Sequence, residues 1–232
     1  MCGRYGFSVK DIRKVYQRFE IVNELADYAP RYNIAPGQMN PVITKNSPKR
    51  IQRMFWGLIP YWAKDRSVSF HTINARGEEI DKKPSFKKAF QSQRCLIPAT
   101  GFFEWKKNID PHVPYYIKLK NEAMFAFAGL YDKWVDPISK KELLSYTIIT
   151  TGANDILKPI HPRMPVVLKR EDEETWIEPD FVTSEKLLSL LKSYSPSEME
   201  IYPVSREINK TRLDNETLIN PVEKPPEQKS LL

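Results

Sequence analysis

Two cysteines occur in 232 residues, Cys2 and Cys95, and they do not form a CxxC pair. Neither a disulfide framework nor a thiolate zinc site is indicated, so any cysteine chemistry belongs to a free thiol. Glycine is scarce, with 8 residues against 19 prolines. That balance predicts stiff connections of fixed shape. No apolar run approaches the ~18 residues of a membrane span, and the opening MCGRYGFSVKD lacks the apolar core of a signal peptide. A cytoplasmic protein without a membrane partner is expected. His71, His112 and His161 make no metal-like spacing, and no metal or other cofactor is implied.

What is present is ordinary for a folded domain. Hydrophobic residues make up 41%, aromatics 12% and charged residues 28%, which excludes wholesale disorder and collagen-like or coiled-coil architecture. The length predicts one large domain, or a domain with a tail. Lys plus Arg exceed Asp plus Glu, 36 to 29, a net charge of +7 that favours a polyanionic partner.

Ile12, Val15, Tyr16 and Phe19 recur at helical spacing, and Ser8 with Asp11 resembles a capping box, so a helix is expected over 9–20. From 31 to 61, Pro-containing loops (RYNIAPGQ, NSPK, GLIPY) alternate with strand-like pieces at 41–45 and 51–56. Further β signals lie at 94–99, 101–105, 114–119, 123–131 and 143–150, with Tyr115, Ile117 and Leu119 on one side of the third. Helices are expected at 171–177 and 184–193, and a strand at 200–205. The expected fold is α+β: one domain over 1–222 with a mainly antiparallel, barrel-like β core flanked by short helices. A Pro-rich tail follows from 223.

Cys2 directly follows the initiator methionine. Removal of Met1 would leave a cysteine with its own α-amine, whose pKa of about 7.7–8.0 lies close to the thiol's, about 8.5. Such a 1,2-aminothiol can attack an aldehyde through nitrogen and then close a thiazolidine ring through sulfur. The amine could equally serve as base for the thiol in an N-terminal-nucleophile peptidase. A third alternative is a noncovalent nucleic-acid module with an incidental cysteine. Cys95, in RCLIPA, is expected to be a small core hydrophobe.

Seven blocks occur in one order: MCGRY, RYNIAPGQ, WGLIPYWA, INARGE, GFFEW, HPRMP and PVS. Together they resemble the SRAP family, the SOS-response-associated peptidases that process abasic sites, over roughly 1–222. The resemblance implies that Cys2 captures the ring-opened sugar aldehyde of an abasic site in single-stranded DNA, with some lyase activity through the imine. It also assigns Asn74, Glu104 and His161 to the catalytic site.

Each assignment has its own physical sense. The Asn74 amide can hydrogen-bond a sugar hydroxyl or carbonyl. Phe102, Phe103 and Trp105 around Glu104 can tune its carboxyl for proton transfer. Pro159, Pro162 and Pro165 can fix the His161 imidazole. Arg4, Arg76 and Arg163 are candidate phosphate contacts, and Trp62, beside Tyr61, is a candidate stacking face for a base. The basic stretch 81–94 is explained as well by a solvated helix face. The closing PVSREINKTRLDNE nearly matches the family pattern at Ile208 and Asn209 but departs at Leu213 and Asp214. A monomer acting on single-stranded DNA is the expected partner arrangement.

Overall fold

The structure is a computed structural model that describes residues 2–106, 112–178 and 182–223. Its strands are β1 (Tyr5–Phe7), β2 (Arg31–Ile34), β3 (Met39–Thr44), β4 (Ser47–Trp56), β5 (Asn74–Arg76), β6 (Arg94–Ala99), β7 (Gly101–Lys106), β8 (Val113–Leu119), β9 (Phe125–Val135), β10 (Glu142–Gly152), β11 (Arg163–Pro165) and β12 (Met199–Pro203). The helices are α1 (Ile12–Arg18), α2 (Pro84–Ser92), α3 (Arg170–Ile177) and α4 (Ser184–Ser189).

Five strands close on themselves in the order β10-β4-β3-β6-β9, and β9 pairs back onto β10 from Gly129↔Ile148 to Val135↔Glu142. Every contact around this barrel is antiparallel except β10 with β4. The seam between β10 and β4 is the short one, made by Ser145↔Phe55 and Tyr146↔Trp56. At Gly129 the neighbours come closest. A Cβ there would lie 2.1 Å from Ile97 Cδ1 and 2.8 Å from the Thr147 carbonyl oxygen, so only glycine fits. Cys95, fully buried on β6 beside it, is the core residue its sequence context predicts.

A second sheet, β12-β8-β7-β1-β2, covers the barrel. Aromatic rings join the two layers: Tyr5 lies 5.1 Å from Trp56 and 5.8 Å from Phe127, and Phe102 lies 6.0 Å from Phe127, all edge-to-face. On β8, Tyr115, Ile117 and Leu119 all enter this main core, while Tyr116 turns the other way. There it packs with Phe103, Val204, Ile208 and Leu218 in a second cluster.

Several boundaries differ from the sequence reading. Helix α1 is shorter than 9–20, and Asp11 alone caps it by accepting the Arg13 N–H; Ser8 bonds Thr100 instead of closing a capping box. RYNI forms β2, and SPK begins β4 after a two-residue turn, so neither is a loop. Helix α4 stops at Ser189, before the expected 193, and β12 covers 199–203. The basic stretch does form a helix, α2, burying Phe86, Ala89 and Phe90. All but the first residue of the expected tail lies outside the described residues.

Candidate active site

The chain enters the second sheet at its N-terminus. Strand β1 pairs with β7 through Tyr5↔Phe102, and the Phe103 N–H donates to the Arg4 carbonyl at 3.0 Å, so the register carries Gly3 and Cys2 toward Glu104 and Trp105. Phe102 and Glu104, two residues apart, share one face of β7. Cys2 is fully buried, and Glu104 is 3% exposed. A carboxylate is seldom placed so deep without a task or a partner.

Asn74 reaches Cys2 from the other layer. It begins β5, which runs parallel to β10 through Asn74↔Ile148, and its Nδ2 donates to the Cys2 carbonyl at 2.8 Å. Its Oδ1 is buried and accepts no hydrogen bond among the described residues. A buried amide oxygen left in this state is an acceptor suited to a hydroxyl or amine brought by a ligand. The Cys2 thiol lies 3.7 Å from the Arg4 carbonyl oxygen. Its pKa is pushed far above the ordinary thiol range, first by burial and then by the negative charge of Glu104.

His161 stands in the turn between β10 and β11. Its Nδ1 lies 3.1 Å from both the N–H and the carbonyl oxygen of Arg163. The ring can accept from the first or donate to the second, so it stays held whichever tautomer it adopts. Strand β11 pairs with β10 at Thr150–Gly152, and β5 pairs with β10 at Ile148–Thr150. The end of β10 thus carries the Asn74 strand and the His161 turn together.

The basic candidates divide. Arg76 is exposed. Arg4 is half-buried and donates through Nη1 to Asn33 Oδ1 at 2.6 Å and the Ile208 carbonyl at 2.8 Å. Its Nε is buried without a hydrogen-bond partner, and desolvation lowers its pKa. No carboxylate stands among its described hydrogen-bond partners, so this charge calls for an anion. Arg163 is already engaged: its Nη1 and Nη2 fork onto Glu78 at 2.5 and 2.9 Å, and Nη2 also reaches the Thr150 carbonyl at 2.7 Å. Trp62 is 52% exposed. Its neighbour Tyr61 carries the Lys88 ammonium 3.7 Å from its ring centroid.

Sequence reasoning missed four residues here. Phe70 is 79% exposed in the short helical turn Arg66–His71, between Trp62 and Asn74. Glu78 holds Arg163. Asn33, fully buried within the RYNIAPGQ block, donates to the carbonyls of Ile208, Lys210 and Leu213. Asp214 accepts the N–H groups of Tyr32 and Asn33 and pairs with Arg31. Asp214, which departs from the expected closing pattern, therefore fastens the 206–220 loop over β2. No residue pattern announces a contact across 180 positions.

The family model for SOS response associated peptidase (SRAP) matches residues 1–211. The abasic site processing protein YoqW of Bacillus subtilis is 42% identical over 224 residues, covering 94% of this chain and 99% of that one. The abasic site processing protein HMCES of Gallus gallus is 28% identical, covering 84% of this chain and 67% of its own length. A crystal structure of a Bacteroides thetaiotaomicron protein superposes with a TM-score of 0.89 at 31% identity, over 95% of this chain and all of that one. With its barrel, its covering sheet and its buried second-position cysteine, this chain belongs to the SRAP family.

Proposed function

We propose that the chain captures abasic sites in single-stranded DNA by a covalent bond to Cys2. Loss of Met1 releases the Cys2 α-amine. The amine adds to the aldehyde carbon of the ring-opened sugar and expels water, giving an imine. The sulfur then adds to the same carbon: a C–S bond forms, the C=N bond becomes single, and the thiol proton ends on nitrogen. The product is a thiazolidine. An imine at C1′ acidifies the C2′ protons and invites strand cleavage. Ring closure removes that electron sink, so lyase activity is a side path of the same intermediate.

The observation that carries this reading is the environment of Cys2: its carbonyl held by Asn74, its thiol within the field of Glu104, both in a buried setting. Asn74 Oδ1 suits the sugar hydroxyl. Glu104 and His161 suit the movement of protons at imine formation and ring closure. Arg4, Arg76 and Arg163 suit the phosphates, while Trp62 and Phe70 offer faces to bases. The nucleophiles and proton carriers all belong to the chain, so the reaction calls on no cofactor. A monomer working in the cytoplasm on exposed single strands is sufficient.

The test is intact mass spectrometry of the protein mixed with an abasic oligonucleotide. Protein beginning at Cys2 gives a species of protein plus DNA minus one water. Cys2→Ala gives none, and neither does protein bearing an extra residue before Cys2, whose amine is an amide. Equal adduct in all three would overturn the assignment.

A further inference from the structure

We infer that Glu78 is a resident stand-in for phosphate, occupying the Arg163 guanidinium until a phosphodiester of the bound strand displaces it. The inference rests on the single-stranded DNA reading and adds a self-masking device to the same site.

The geometry supplies three supports. First, the Arg163–Glu78 pair is a two-pronged fork at 2.5 and 2.9 Å, the arrangement a guanidinium makes equally with two phosphate oxygens. Second, the partners are held unequally. Arg163 is anchored from behind: Nη2 donates to the Thr150 carbonyl at 2.7 Å and lies 3.2 Å from Thr150 Oγ1, and its side chain is 18% exposed. The Glu78 side chain is 53% exposed and, besides Arg163, is held only by a backbone N–H of its own residue, which moves with it. Exchange therefore costs the swing of one solvated carboxylate and leaves the arginine in place. Third, Arg163 Nε is buried and makes no hydrogen bond while Glu78 is bound, so the present partner leaves the guanidinium incompletely satisfied.

The local backbone explains why Glu78 stands there. Gly77–Glu79 form a short helical turn directly after β5, and Arg76, at the end of that strand, is exposed. A Cβ on Gly77 would lie 3.3 Å from Leu191 Cβ, so the turn packs tightly against the 190–191 segment. This packing fixes where Glu78 emerges, two residues beyond Arg76 and against β11. A strand lying along Arg76 and Arg163 must pass this carboxylate. Displacement stops weak anions from occupying the fork and favours a chain already held at neighbouring positions, because only such a ligand offers phosphate at high effective concentration.

The exchange leaves a mark on salt dependence. Each phosphate neutralised on a single strand adds about 0.7 to the slope of log affinity against log salt. In the wild type, a carboxylate freed from Arg163 takes up a cation and offsets the release at that contact. Glu78→Gln removes the offset.

The test measures affinity for intact and abasic oligonucleotides of equal length, by fluorescence anisotropy across a salt series, in a double-mutant cycle of Glu78→Gln and Arg163→Gln. The expected result is about tenfold tighter binding by Glu78→Gln and a slope steeper by about 0.7. In the Arg163→Gln background the gain should shrink to the small effect of removing one surface charge. Arg163→Met replaces Arg163→Gln if the latter does not fold. Unchanged or weaker binding by Glu78→Gln, or the same gain in both backgrounds, overturns the inference. If wild type binds the strands but forms no adduct, only the covalent reading falls. If wild type binds no strand, both fall.

Discussion

At the scale of single residues, the site is defined by a buried thiol in the field of a carboxylate. In the chain that still carries Met1, burial and the charge of Glu104 both push the Cys2 pKa up, which favours a thiol over a resident thiolate. The proton must leave sulfur as the C–S bond forms, and Glu104 is the carboxylate whose field Cys2 feels. Glu104→Gln separates two effects of opposite sign. Removing a negative charge lowers the thiol pKa and enlarges the thiolate fraction at any given pH, which alone would speed ring closure. Removing the proton carrier slows it by about 10²–10⁴-fold. Single-turnover adduct formation should therefore be much slower in Glu104→Gln, although the pH midpoint for alkylation of Cys2 moves down. An unchanged or faster rate would show that thiolate supply is limiting. That Asn74 and Glu104 lie near Cys2 was legible only through the family resemblance of the blocks that carry them. Glu78 was not, since a glutamate after an arginine reads as solvated surface until the partner arginine, 85 positions away, is seen to hold it.

At the scale of elements, the same contrast separates strands. Those with six or more strand-forming residues of their own, β6, β8 and β10, stood within two residues of where the sequence pattern put them. β5 and β11, three residues each, have too little length to show a period and exist because β10 offers its edges. The 206–220 loop is a further case, held by Asn33, Arg31 with Asp214, and Arg4. Asn33 is its hub: one buried amide serves three loop carbonyls through Nδ2 and the Arg4 guanidinium through Oδ1. Replacing it by alanine strips the Leu213 carbonyl of its Asn33 partner and leaves Arg4 with the Ile208 carbonyl alone, at a cost of about 1–3 kcal/mol. Asn33→Ala should unfold at lower urea concentration, and hydrogen exchange should accelerate across 206–220 while barrel strands β3, β6 and β9 keep their protection. Accelerated exchange spread evenly over the barrel, or none in the loop, would show that Asn33 does not carry the latch.

At the scale of the whole molecule, a barrel-like core was expected and is present, but the pairings that close it, β10 with β4 in parallel and with β9 in antiparallel fashion, are encoded by no local pattern. What closure buries can be tested by titration. The interior holds phenols and thiols: Tyr5 and Tyr146 share a 2.8 Å hydroxyl contact inside the core, and Cys95 lies beside them. Burial raises the pKa of Cys95, Tyr5, Tyr116 and Tyr146 well above their ordinary values of 9.0 and 10.0, and pushes buried Tyr131 up to about 12. In the unfolded chain these groups release protons from about pH 9 upward, whereas the folded chain retains them. The folded state then binds more protons than the unfolded one, so unfolding free energy falls as pH rises. The contribution is complete below pH 9.0, the ordinary thiol value, and is lost progressively toward the raised folded values. Urea unfolding followed by tryptophan fluorescence should give a midpoint that drops steadily between about pH 9 and about pH 11. Tyr146→Phe removes one titrating phenol together with its bond to Tyr5 and should make that drop shallower, even where its neutral-pH stability is lower. A midpoint indifferent to alkali, or an equal slope in Tyr146→Phe, would mean that water reaches these hydroxyls and that the barrel is not closed around them.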